Sequence, residues 1–140
     1  GFEIVSKKDD GFALSNDAFR RIKKEKIILT NNLEKFVKSF LKKQRINFFK
    51  RVYGVESFKN KEQGLKEIMK KRKLKPREIV YIGDKRVGVE ICKNVGCYCI
   101  MVFSDITWGI RKEILKGKPD FIVKDLKDIK KIVEKLDSMN

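Results

Sequence analysis

From Lys26 onward, short runs of β-branched and other apolar residues alternate with longer amphipathic stretches, the pattern of βαβ units feeding a parallel sheet. Ile27-Ile28-Leu29 reads as a strand ending at Thr30-Asn31-Asn32. Leu33, Phe36, Val37, Phe40 and Leu41 then recur at helical spacing, and Asn31 with Glu34 three positions later predicts a cap for that helix. A short strand is expected over Arg51 to Val55. The next helix, marked by Leu65, Ile68 and Met69, must stop before Pro76, which disfavours helical geometry at Lys75. Ile79-Val80-Tyr81-Ile82 is near-continuously apolar, as suits a strand covered on both faces, and Gly83-Asp84 closes it.

Val87, Ile91, Cys92 and Val95 line a further helix, with Gly96 as its stop. Tyr98 to Phe103 is the following strand. Beyond a loop holding Thr107, Trp108 and Gly109 come a short helix, a strand at Phe121-Ile122-Val123, and a closing helix carrying Leu126, Ile129, Val133 and Leu136. In the first 25 residues, Phe2 to Val5 suggests a strand, Lys7 to Asn16 a polar loop and Ala18 to Glu25 a helix. The whole predicts one three-layer α/β/α domain over residues 1–140 with a Rossmann-like parallel sheet.

Composition narrows the class without naming a chemistry. No apolar run approaches the ~20 residues that span a bilayer, and no secretory leader is evident, so a soluble, cytoplasmic protein is expected. There is no histidine, and the three cysteines are odd in number and sit among apolar residues, which reads as buried free thiols. Taking Cys97-Tyr98-Cys99 as alternating across a strand sets the two thiols on opposite faces, against a shared metal. The 35 basic and 19 acidic residues leave a formal charge of +16, which attracts polyanions. Because the lysines are dispersed over helical stretches, the charge supports nucleic acid as a partner only weakly.

In open α/β sheets ligands collect outside the carboxyl ends of the strands. Thr30 and Asp84 each end a strand, and Lys59 opens the helix after a third. Thr30-Asn31 offers a hydroxyl and backbone N–H groups to an anion, or an ordinary helix cap. Asp84 aims a carboxylate suited to Mg²⁺, or caps the next helix. Lys59 is a point cation for phosphate, one among many lysines. All three are expected at one edge.

These segments together resemble the haloacid dehalogenase-like (HAD) hydrolases, in particular phosphoglycolate phosphatase-like members. Ile27-Ile28-Leu29-Thr30-Asn31 is similar to the family's second motif, and the stretch from Pro76 to Asp84 resembles the strand carrying the fourth. Lys59 stands where the third-motif lysine is found. Cys92-Lys93-Asn94-Val95-Gly96, Thr107-Trp108-Gly109 and Lys118-Pro119-Asp120-Phe121-Ile122 add to the likeness. The resemblance implies a phosphatase acting on a small phosphorylated substrate through an aspartyl-phosphate, with Thr30, Asn31 and Lys59 on the phosphate, Thr30 and Lys59 assisting catalysis, and Mg²⁺ on Asp84. No cap domain is visible.

Two departures stand against it. The family's second metal-binding Asp, four residues after the first, is Gly88 here, and Glu90 points elsewhere on a helix. The first motif, Asp-x-Asp on the central strand between those ending in Thr30 and Asp84, is not evident. If Phe2 to Val5 is that strand, the matching positions hold Ser6 and Lys8. Either the chain is part of a longer enzyme, residues 1–25 being the remnant of an upstream cap, or it is a degenerate module that binds an anionic ligand or nucleic acid without catalysis. Thr30, Lys59 and Asp84 weigh toward the first and Gly88 toward the second.

Overall fold

The computed structural model describes residues 3–6, 17–103, 112 and 114–139. Six parallel strands form one sheet, β1 (Glu3–Ser6), β2 (Lys26–Leu29), β3 (Arg51–Tyr53), β4 (Ile79–Gly83), β5 (Tyr98–Val102) and β6 (Phe121–Val123), in the order β3-β2-β1-β4-β5-β6. The order reverses direction after β3, and the crevice at such a switch point is where doubly wound sheets bind ligands. The helices are α1 (Asp17–Arg20), α2 (Glu34–Lys43), α3 (Lys61–Arg72), α4 (Arg86–Val95) and α5 (Asp128–Ser138). Among the described residues no helix is long and apolar enough to cross a membrane.

The alternation of side chains along each strand divides the core into two layers. Ile27, Leu29, Ile79, Tyr81, Cys99 and Met101 pack with Leu65 and Ile68 of α3 and Val89 and Ile91 of α4. On the other face Val80, Ile82 and Ile100 meet Ile129, Val133 and Leu136 of α5, and Ile28 meets Val37 and Leu41 of α2. Every residue of β2 and β4 is buried, as a strand covered on both sides requires.

Several expectations need correction. Cys97 and Cys99 belong to the same core layer, together with Cys92, because residues two apart on a strand share a face. All three are free and buried, and the hydrogen bonds of Cys92 with Cys97 and Cys99, followed by burial, push its thiol far above the usual range. The Ala18–Glu25 helix shrinks to one turn over Asp17–Arg20. The Lys26 ammonium explains the early end: it is buried under this segment and donates to the Ile22 and Lys24 carbonyls, which a continued helix would use itself. Strand β3 stops at Tyr53, and Val55–Ser57 forms a 3₁₀ turn instead. The Lys7–Asn16 loop and Thr107-Trp108-Gly109 lie outside the described residues.

The central place is taken by β1. It pairs in parallel with β2 on one side and β4 on the other, and Ser6 is in register with both Ile28 and Ile82.

Candidate functional site at the carboxyl edge of the sheet

Because the strands are parallel, Thr30 after β2 and Asp84 after β4 emerge at one edge on either side of β1. Each lies two residues beyond the partner of Ser6, so they stand level with one another. Two inter-strand spacings put their backbones roughly 10 Å apart, with the end of the central strand between them.

Thr30 is fully buried, and its backbone N–H donates to the Tyr53 carbonyl at 3.0 Å, which carries the β2–β3 pairing one residue past the strand. Its hydroxyl accepts the N–H of Asn32 at 3.1 Å. This bond curls the chain at the strand end and leaves Asn31 exposed at the bend. Asp84 is half-buried in the bend between β4 and α4.

The anticipated cap of α2 is built differently. The N-cap is Leu33, which has no side-chain acceptor, and the Glu56 carboxylate takes the Glu34 N–H with both oxygens, at 3.0 and 3.1 Å. Glu56 comes from the turn after β3, so its charge fastens that loop to the positive end of α2. Gly54 makes the approach possible: a Cβ there would lie 2.1 Å from Glu56 Oε1 and 2.4 Å from the Glu34 nitrogen. Sequence reading missed Glu56 because the acceptor lies 22 positions from the donor.

Lys59 is exposed, and its backbone N–H donates to Gln63 Oε1 at 3.2 Å just ahead of α3, which is capped by the Asn60 side chain on Gln63 N–H at 2.9 Å. Asn31 and Lys59 line one cleft of about 470 Å³, whose walls include Lys61, Glu62, Val87 and Asn94. Thr30 and Asp84 are not among the residues lining that cleft. Lys61, at 5% exposure, is a second cation that sequence reading passed over. The signal was present: Lys61, Leu65 and Ile68 fall at i, i+4 and i+7 on the buried stripe.

The carboxylate-poor end of α4 has a steric cause. A Cβ on Gly88 would meet Tyr81 Cε1 at 2.8 Å and Met101 Cε at 3.4 Å. The Tyr81 ring therefore fills the place from which a side chain at position 88 would start. Among the described residues no group of three His, Cys, Asp or Glu could hold a metal ion, and only Asp84 offers a carboxylate between the two flanking strands. That carboxylate fits one ligand position of Mg²⁺, an ion that commonly takes one or two protein carboxylates beside water and phosphate oxygens. Asp120, by contrast, is structural, accepting the Cys99 N–H at 2.8 Å between β5 and β6.

A doubly wound parallel sheet with a buried hydroxyl, a helix start and a carboxylate at its switch point defines a Rossmann-like α/β protein, the class in which ligands collect at the strand ends. The sequence model of the haloacid dehalogenase-like hydrolases matches residues 15–102, and the chain belongs to that family. It is 29% identical over 112 residues to a phosphoglycolate phosphatase of Vibrio cholerae, a match covering 76% of this chain and 48% of that protein. A phosphoglycolate phosphatase of Synechococcus elongatus is 25% identical over 112 residues, covering 78% and 51%. The chain thus spans about half the length of the curated relatives it matches.

Solved structures agree on the fold. A conserved haloacid dehalogenase-like protein of unknown function from Agrobacterium tumefaciens superposes with a TM-score of 0.73 at 13% identity, over 94% of this chain and 62% of that one. An isolated core domain from Streptococcus pneumoniae, named as a candidate phosphoglycolate phosphatase, gives 0.67 at 18% identity and covers 95% of both chains.

Proposed function

We propose that the chain is the phosphate-handling core of a Mg²⁺-dependent phosphohydrolase of the HAD type, acting on a small phosphate monoester. The observation that carries this reading is the level placement of Thr30 and Asp84 on either side of the central strand end. The Thr30 hydroxyl and the Asn31 N–H would take phosphoryl oxygens from one side. Lys59 would neutralise their charge as a point cation. Asp84 would hold Mg²⁺ on the other side, the ion supplying charge stabilisation for the transferred group.

In this chemistry a carboxylate on the central strand attacks phosphorus. The P–O bond to the ester oxygen breaks, and the alcohol leaves with a proton from the second carboxyl group in its acid form. That group then takes a proton from the water that cleaves the aspartyl-phosphate to free phosphate and the original carboxylate. Here the strand ends in Ser6, with Lys8 two positions on. A strand bearing Asp-x-Asp from outside these 140 residues would have to take the place that β1 holds.

A second reading is favoured by that same occupancy. With β1 in the middle of the sheet and Gly88 hemmed in by Tyr81, the edge would bind a phosphate-bearing ligand without turning it over. Both readings are separated by p-nitrophenyl phosphate hydrolysis with Mg²⁺. The chain itself is expected to be inactive, Ser6→Asp/Lys8→Asp to gain turnover, and Thr30→Val or Lys59→Ala in that background to lower it by about a hundredfold. A folded double variant that binds phosphate but stays inactive leaves the binding reading; one that does neither overturns both.

A further inference from the structure

At the opposite end of the strands lies a groove of about 530 Å³ between the last turns of α2 and the start of β3. Its walls carry five cations, Lys38, Lys42, Arg45, Lys50 and Arg51, and no carboxylate. Two of these are met from outside the walls: Lys38 by Glu34 at 2.6 Å and Lys50 by Glu25 at 2.7 Å. Among the described residues no carboxylate pairs with Lys42, Arg45 or Arg51, all three of which are exposed. The net charge of +16, dispersed along the sequence, is therefore locally concentrated here by the fold. The cleft that holds Lys59 contains Glu62 and Glu90 and has no such bias.

Phe49 also lines the groove; it is half-buried and packs against Phe48 with ring centroids 4.9 Å apart and planes tilted by 38°, which holds an aromatic edge among the cations. The α2 carbonyls at its C-terminus repel anions, and Lys42 and Lys43 in the last turn offset them. Cations along a groove with an aromatic wall are the combination that tracks a phosphodiester backbone while giving a base a stacking face. We propose that this edge groove binds single-stranded nucleic acid, at a place separate from the phosphate edge at the other end of the sheet and independent of whether that edge is catalytic.

The test is fluorescence anisotropy of labelled oligothymidylate and oligouridylate against salt. Binding is expected to weaken with a log–log slope of up to about −3.5, the value for five neutralised phosphates at roughly −0.7 each. Lys42→Glu/Arg45→Asn should weaken it about tenfold or more and flatten the slope. Asn suits the left-handed backbone of Arg45, whose φ is 56°. Lys131→Glu/Lys135→Gln, on exposed positions of α5, lowers the net charge by the same three units and should leave affinity close to that of the unsubstituted chain. Equal weakening by both pairs, no binding at about 50 mM salt, or groove-dependent binding to anionic phosphatidylserine vesicles without oligonucleotide binding would overturn the assignment. Circular dichroism of both variants confirms that each is folded.

Discussion

The ring of Tyr81 and the backbone of Gly88 are packed so closely that a Cβ at position 88 would lie 2.8 Å from Tyr81 Cε1. Both are buried, so neither can move aside into solvent. A glycine-to-alanine change inside an exposed helix gains ~1 kcal/mol of stability from propensity. At Gly88 the overlap should reverse the sign, and Gly88→Ala is expected to lose about 1 kcal/mol or more in urea denaturation. In a Tyr81→Leu background the loss should shrink or vanish. A stabilised Gly88→Ala variant would show that the ring yields freely.

The Tyr81 hydroxyl is enclosed in the core with no hydrogen-bond partner among the described residues. Burial first, then the neighbouring Cys92, Cys99, Cys97 and Asp84, raise its pKa well above 10.0, and Cys92 is raised as well. Both groups keep their protons longer when folded than when unfolded. Their contribution to stability is complete below the unfolded values, ~8.5 for a thiol and ~10 for a phenol, and is lost as pH rises beyond them. Stability should therefore fall from about pH 9 upward. Tyr81→Phe should be neutral or stabilising near pH 7 and should flatten the alkaline decline. A clear loss of stability at neutral pH would reveal a hydrogen bond to that hydroxyl.

The bridge from Glu56 to the Glu34 N–H joins the β3 turn to the start of α2. Glu56→Ala should cost ~1 kcal/mol, as for loss of other helix caps, and Glu56→Gln should recover part of it through the remaining amide oxygen. Gly54→Ala should be at least as damaging as Glu56→Ala, because its methyl would stand in the path of the carboxylate. Chemical denaturation of the three variants gives the ranking. An innocuous Gly54→Ala would contradict the close approach.

The fold was legible because β2, β4 and the helices between them carry their periods openly, with Ile79–Ile82 apolar throughout and Gly96 in the left-handed conformation that its C-cap position favours. Thr30 and Asp84 could be set at one edge from strand ends alone. Local pattern failed where a distant group decided the outcome. Glu56 replaced Asn31 as the source of the α2 cap, and Lys26 took the carbonyls that would have extended α1. The thiols were misplaced by a slip in strand parity, since positions 97 and 99 must share a face. The basic groove was invisible for a different reason: Lys38, Lys42, Arg45, Lys50 and Arg51 become one wall only when α2 turns back along β3.

The edge flanked by Thr30 and Asp84 is tested most directly by ¹H–¹⁵N NMR of the chain titrated with inorganic phosphate in the presence of Mg²⁺. The account predicts saturable shifts at the amides of Thr30, Asn31, Lys59 and Asp84, reduced by Thr30→Val and by Asp84→Asn. Shifts confined to the groove residues Lys42, Arg45 and Arg51, or none at all in the folded chain, would contradict it.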